Sequence, residues 1–130
     1  MIFRREKTMH TPLIVFDKGK LYISGRSIPE NPSLLYDPLI HSVLEYSLRP
    51  EPNTEVNIML EYSNSSTNRA LMELFNILYE ELFLRKKSVI VNWYYITEDT
   101  EMYNLGNDFK DLAKVPFALI GVDSFPEISL

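Results

Sequence analysis

The chain has 130 residues, no cysteine and a formal net charge of −5. This length suits one domain with a hydrophobic core. The absence of cysteine excludes disulfides, thiol catalysis and zinc–thiolate sites, and the scattered acidic charge argues against nucleic acid as a main partner, because phosphate binding needs a basic face.

The first predicted elements are a flexible lead-in over residues 1–10 and a β-hairpin. Residues 13–16 form a short apolar strand, and residues 17–20 form a turn in which Gly19 can supply a positive φ before a second strand that ends at Gly25. The lead-in lacks the apolar centre of a signal peptide, and no apolar run reaches membrane-spanning length. We therefore expect a cytoplasmic protein without membrane contact.

A polar loop follows the hairpin and leads into the first helix. This helix starts either at Pro32, with Asn31 as its cap, or at Pro38, with Asp37 as its cap, and the pattern leaves both starts open. Alternating and helical periodicities then predict a strand, a helix, a strand, an acidic helix, a strand and a tail, at residues 55–62, 66–86, 88–95, 98–114, 116–122 and 123–130.

The resulting element order is β-β-α-β-α-β-α-β in a single domain that spans residues 1–130. Strands that alternate with helices predict an α/β sheet with right-handed crossovers, and the opening hairpin makes that sheet mixed. We predict a mixed sheet of about five strands with three helices.

Patterns for catalysis and metal binding are absent from the sequence. His10 and His41 have no metal-ligand spacing, the glycines form neither a P-loop nor a dinucleotide fingerprint, and no Ser–His–Asp arrangement can be assembled. We therefore expect no metal, no cofactor and no enzymatic activity. An exposed sheet edge could pair two copies, so a homodimer is an open alternative.

Three consecutive hydroxyl side chains, Ser65, Ser66 and Thr67, stand where a strand ends and the long helix begins. The free N–H groups of a helix start favour negative charge. A hydroxyl here can be a plain helix cap, or it can accept a phosphate that adds nearly two negative charges to a surface seen by a partner. The residues alone leave both interpretations open.

An aromatic cluster at residues 93–95 ends the fourth predicted strand. Trp93 falls on the apolar side of the strand, which predicts a place in the core. Tyr94 lies near the sheet edge, where an aromatic side chain can anchor a protein partner. A cleft near Tyr62, Asn64 and Tyr94 that binds a small molecule, as a ligand-binding domain or an enzyme, is the alternative.

These residues resemble the SiaC family of bacterial regulatory phosphoproteins over about residues 12–117. The resemblance implies the fold of the anti-sigma factor antagonists, known as the STAS type, which agrees with the predicted element order. The sequence blocks that carry the resemblance are ISGRSIPEN at 23–31, LEYSNSST at 60–67, VNWYY at 91–95 and GNDF at 106–109.

The resemblance implies a partner-switching module. In the family, a Ser or Thr directly after a Tyr-x-Asn element is the phosphoacceptor; this position is Ser65 here, with Ser66 and Thr67 as second choices. A kinase of the histidine-kinase-like ATPase type would add the phosphate and a PP2C-type phosphatase would remove it. The unphosphorylated form would bind and activate a diguanylate cyclase, which raises cyclic-di-GMP and favours biofilm.

A shared binding surface is expected at one end of the sheet if the strands that end at Gly25 and at residue 62 are parallel neighbours. The polar loop and the serine corner would then meet. The predicted partner-binding residues are Arg26, Pro29, Glu30, Asn31, Tyr62, Asn64 and Tyr94.

Overall fold

The computed structural model describes residues 2–128; the predicted lead-in and tail begin and end outside them, at Met1 and at residues 129–130. The described chain contains ten regular elements. The strands are β1 (Phe3–Arg5), β2 (Leu13–Asp17), β3 (Lys20–Ser27), β4 (Asn53–Ser63), β5 (Ser88–Ile96) and β6 (Phe117–Val122), and the helices are α1 (Pro32–Tyr46), α2 (Ser65–Leu78), a π-helical turn that continues it (Tyr79–Phe83), and α3 (Thr100–Leu112).

The six strands form one mixed sheet in sequence order. β1, β2 and β3 are antiparallel neighbours, and β3 to β6 are parallel. Because each parallel crossover steps in the same direction and is right-handed, α1, α2 and α3 all cover the same face. The core fills the space between these helices and the sheet. Within residues 2–128, no helix covers the opposite side of the sheet, here called the helix-free face.

The α/β prediction is confirmed, but the strand count is six rather than about five. The additional strand, β1, lies inside the predicted flexible lead-in and pairs Phe3 with Phe16 of β2. Phe3 is buried, and the guanidinium of Arg5 lies 4.4 Å from its ring centroid. The prediction that this segment is flexible was therefore wrong. The strand was missed because three residues with one apolar side chain are too short to show a periodic pattern.

The structure defines the hairpin turn and the start of the first helix. Lys18 and Gly19 take φ values of 50° and 79°, so both central turn residues are left-handed, as a two-residue hairpin turn requires. The first helix starts at Pro32, and Pro38 lies inside it. Pro32 suits a first helical position because its missing N–H would have no partner there.

A bulge in β4 sets which side chains reach the helix-free face. Gly25 pairs with Leu60, but the next pair is Arg26 with Tyr62, so Glu61 is an extra residue. Leu60 belongs to the core beneath the helices. The bulge shifts the alternation by one residue, so that Arg26 and Tyr62 share the helix-free face.

Trp93 anchors the core beside α3, as the sequence predicts. It is fully buried, and its indole N–H donates a 3.0 Å hydrogen bond to the carbonyl of Met102. Gly106 of α3 packs directly on the ring, since a Cβ at this position would lie 2.4 Å from it. A glycine is needed there even though it lowers helix propensity.

Candidate functional site

The site is the corner where β4 ends and α2 begins. Asn64 caps the helix, because its side-chain oxygen accepts a 2.9 Å hydrogen bond from the backbone N–H of Thr67. Ser65 is the first helical residue and is exposed. The interpretation of the hydroxyl run as the cap was therefore wrong: the amide side chain before the run caps the helix.

The three hydroxyls of the run have different environments. Ser66 is partly buried and donates a 2.9 Å hydrogen bond to the Asn64 side-chain oxygen. Thr67 is fully buried at 0% exposure. Ser65 is exposed, and its hydroxyl has no hydrogen-bond partner within residues 2–128. A modifying enzyme that approaches from solvent therefore meets Ser65 first.

Thr67 belongs to a buried hydroxyl triad with Ser27 and Tyr36. The Ser27 hydroxyl oxygen lies 2.7 Å from the Thr67 hydroxyl and 2.6 Å from the Tyr36 hydroxyl. The Thr67 hydroxyl also lies 3.0 Å from the Ser27 carbonyl oxygen. The triad therefore joins the first turn of α2 to the end of β3 and to α1.

The hydrogen bonds of the triad allow one consistent assignment of donors and acceptors. A carbonyl only accepts, so Thr67 donates its proton to the Ser27 carbonyl. Ser27 then donates to the Thr67 oxygen, and Tyr36 donates to the Ser27 oxygen. Burial raises the pKa of Tyr36, against a smaller lowering by the neighbouring Ser27 and Thr67 hydroxyls, so the phenol keeps the proton that it donates to Ser27.

Arg26 and Tyr62 lie beside this corner on the helix-free face. The Arg26 guanidinium is 5.8 Å from the Tyr62 ring centroid, within the range of a cation–π contact, and Tyr62 is 44% exposed. The backbone N–H of Asn64 donates a 3.1 Å hydrogen bond to the Ser27 carbonyl. The expected adjacency of the polar loop and the serine corner is therefore present, and its role in binding stays a prediction.

The other loop residues in the predicted surface face a hollow of their own. Pro29 is buried, whereas Glu30 and Asn31 are exposed. They line a hollow with His10 and Leu34, at the start of α1. Neither Ser65 nor Tyr62 lines it.

Tyr94 does not join the serine corner either. It is half-buried and lines a hollow on the helix-free face with Tyr22, Met59 and Glu127. Glu127 belongs to the predicted tail, whose described part, residues 123–128, therefore folds back over the sheet. Tyr62 and Asn64 do not line this hollow, so it does not unite the three residues of the alternative small-molecule cleft.

Two features of other functional classes, a metal-ligand cluster and a membrane-spanning helix, are absent from residues 2–128. This part of the chain holds no cluster of three or more His, Asp or Glu side chains suited to a metal ion, and none of its helices is long and apolar enough to cross a membrane. His41 is exposed and lies 3.1 Å from Glu45 on the same helix face. It is a surface residue.

The hydroxyl triad is the feature that sequence reasoning missed. One signal pointed to it: Thr67 precedes Leu71 by four residues and Leu74 by seven, which is the spacing of one buried helical stripe. Ser65 lies off that stripe. The helical phase alone could therefore have separated the buried hydroxyl from the exposed one.

Fold and site together describe an α/β domain that presents an accessible hydroxyl at the start of a helix. The profile of the SiaC family regulatory phosphoprotein matches residues 5–122. The chain therefore belongs to the SiaC family of regulatory phosphoproteins, and the resemblance seen in the sequence is confirmed.

Individual relatives agree with this assignment. The chain is 29% identical over 114 residues to an uncharacterised protein of Pseudomonas aeruginosa strain UCBPP-PA14, with 86% of this chain and 90% of the relative covered. The crystal structure of apo-SiaC from P. aeruginosa matches with a TM-score of 0.85 at 26% identity, over 92% of this chain and 98% of that one. SiaC in the crystal structure of the P. aeruginosa diguanylate cyclase SiaD with its activator SiaC matches with a TM-score of 0.87 at 26% identity, over 92% and 99%.

Proposed function

We propose that this chain is a non-enzymatic, cytoplasmic partner-switching protein whose switch is phosphorylation of Ser65. The observation that carries the proposal is the difference between the three adjacent hydroxyls. Ser65 is exposed, and its hydroxyl makes no hydrogen bond within residues 2–128. The Ser66 hydroxyl instead donates a hydrogen bond to the Asn64 side chain, and Thr67 is buried. A kinase and a PP2C-type phosphatase can reach only an oxygen that faces solvent.

In this proposal, the unphosphorylated chain binds and activates a diguanylate cyclase of the same organism and so favours biofilm. The P. aeruginosa relative SiaC is the activator of the diguanylate cyclase SiaD. The surface proposed for this chain centres on Arg26 and Tyr62, because arginine and tyrosine are enriched among the residues that dominate binding energies. Both lie at the same end of the sheet as Ser65.

The charge of the phosphate is the proposed means of switching. Phosphorylation adds roughly 1.5 to 2 negative charges and three acceptor oxygens. The first turn of α2 is fixed by the Asn64 cap and by the Thr67 and Ser27 hydrogen bonds. We therefore expect the phosphate to change the potential and the shape of the binding surface without refolding the corner.

The site assignment is tested with a cognate kinase of the histidine-kinase-like ATPase type, ATP and tandem mass spectrometry. We expect one added phosphate, located at Ser65 in the wild type and absent from Ser65→Ala. Ser66→Ala and Thr67→Ser are the matched variants, and both should still be phosphorylated at Ser65. A phosphate placed only at Ser66 or Thr67 would overturn the assignment.

A further inference from the structure

Arg69 lies one helical turn after Ser65 on α2, and both residues are exposed. Residues four apart on a helix have Cβ atoms roughly 6 Å from each other. Helical side chains also lean toward the N-terminus of their helix. The guanidinium of Arg69 can therefore reach back over the turn that begins at Ser65.

Arg69 has acidic neighbours but no ion pair within residues 2–128. It lines a groove between α1 and α2 together with Asp37 and Glu73. Glu73 follows Arg69 by four residues, which is the less favourable order for an ion pair on a helix. The guanidinium is thus available to a stronger anion.

We propose that Arg69 binds the phosphate of phosphorylated Ser65, an inference that rests on the proposed function. The planar guanidinium matches phosphate with two parallel hydrogen bonds, and a phosphate dianion attracts it more strongly than either groove carboxylate. Arg69 then turns from the groove toward the first turn of α2. The bound phosphate is held against the helix surface and is less accessible to a phosphatase.

The test uses the full chain with phosphoserine installed at position 65 during translation, so that it does not depend on a kinase. The second pKa of the phosphate is followed by phosphorus NMR in the otherwise wild-type chain and in Arg69→Gln. A nearby cation favours the dianion, so this pKa should be lower with Arg69 present, by about half a pH unit. Arg69→Lys should keep part of the shift.

Arg49→Gln is the matched control, because Arg49 is exposed and follows the far end of α1. It should leave the phosphate pKa at the wild-type value. Equal pKa values in the wild type and Arg69→Gln would overturn the proposal, and so would a change that appears only in Arg26→Gln, since the phosphate would then pair with Arg26. A kinase that never modifies Ser65 would instead contradict the proposed function, and the titration would still decide the role of Arg69.

Discussion

The hydroxyl of Ser27 lies 2.7 Å from the hydroxyl of Thr67, although the two residues are 40 positions apart in the chain. Both are completely buried, at 0% exposure. Ser27 ends the strand that carries Arg26, and Thr67 lies two residues after Ser65 in the helix. The contact therefore connects the proposed binding surface with the proposed modification site through a buried hydrogen bond.

Thr67→Val tests the energy of this connection. The replacement keeps the shape of the side chain but leaves the Ser27 hydroxyl without its acceptor and the Ser27 carbonyl without one donor. We expect the free energy of unfolding to fall by about 2 kcal/mol, measured by urea denaturation. Thr100→Val, at the exposed first position of α3, should change it by less than about 0.5 kcal/mol. Equal losses of unfolding free energy in Thr67→Val and Thr100→Val would show that the triad does not stabilise the fold.

Asn64→Ala and Ser65→Ala separate capping from modification. Removal of the Asn64 side chain loses the cap of α2, and should lower the unfolding free energy by about 1 kcal/mol. Ser65→Ala should stay within about 0.5 kcal/mol of the wild type, because Ser65 is exposed and its hydroxyl is not the cap. The same denaturation measurement checks both variants, and the reverse order of effects would contradict the capping assignment.

Tyr36→Phe should change how stability depends on alkaline pH. The pKa of Tyr36 is raised in the folded state, mainly by burial. The stabilisation that comes from this raised pKa is therefore complete below about pH 10, the pKa of tyrosine in the unfolded chain. It is lost as the pH rises above that value. Unfolding free energies measured between pH 8 and pH 11 should fall more steeply for the wild type than for Tyr36→Phe. Tyr103→Phe, at an exposed position, should follow the wild type.

Gly106→Ala should destabilise the chain, although replacing glycine by alanine inside a helix usually stabilises a protein. Alanine in place of glycine inside a helix normally adds about 1 kcal/mol. Here the new Cβ would lie 2.4 Å from the Trp93 ring, so we expect a loss of about 2 kcal/mol instead. Asn104→Ala, exposed on the same helix, should be neutral or stabilising. Thermal unfolding compares the two, and a more stable Gly106→Ala would show that the core can yield at Trp93.

Most of the fold was predictable because the periodic patterns are long. Alternation along β3, β4 and β5 and the apolar stripe of α2 fix the element order, and that order places all helices on one face. The β4 bulge was not predictable, because Glu61 fits a strand with or without a slip in pairing. The slip decides that Tyr62 joins Arg26, and pairing between distant segments is visible only in the folded chain.

The candidate site was predictable in place but not in detail. The position of Ser65 at a helix start followed from the pattern of residues 56–82. The choice between Asn64 and a serine as cap depends on a difference of one residue in the helix start, which periodicity does not resolve. The placement of Tyr94 in a separate hollow depends on the path of the tail, for which residues 123–128 carry no periodic signal.

A phosphate on Ser65 is proposed to decide whether the partner binds. Isothermal titration calorimetry of the chain against its proposed partner, a diguanylate cyclase of the same organism, tests this dependence directly, with the unmodified chain, the chain carrying phosphoserine at position 65, and Ser65→Ala. We expect the unmodified chain and Ser65→Ala to bind alike, and the phosphorylated chain to bind at least about tenfold more weakly. Equal affinity of the phosphorylated and unmodified chains would contradict the proposed switch.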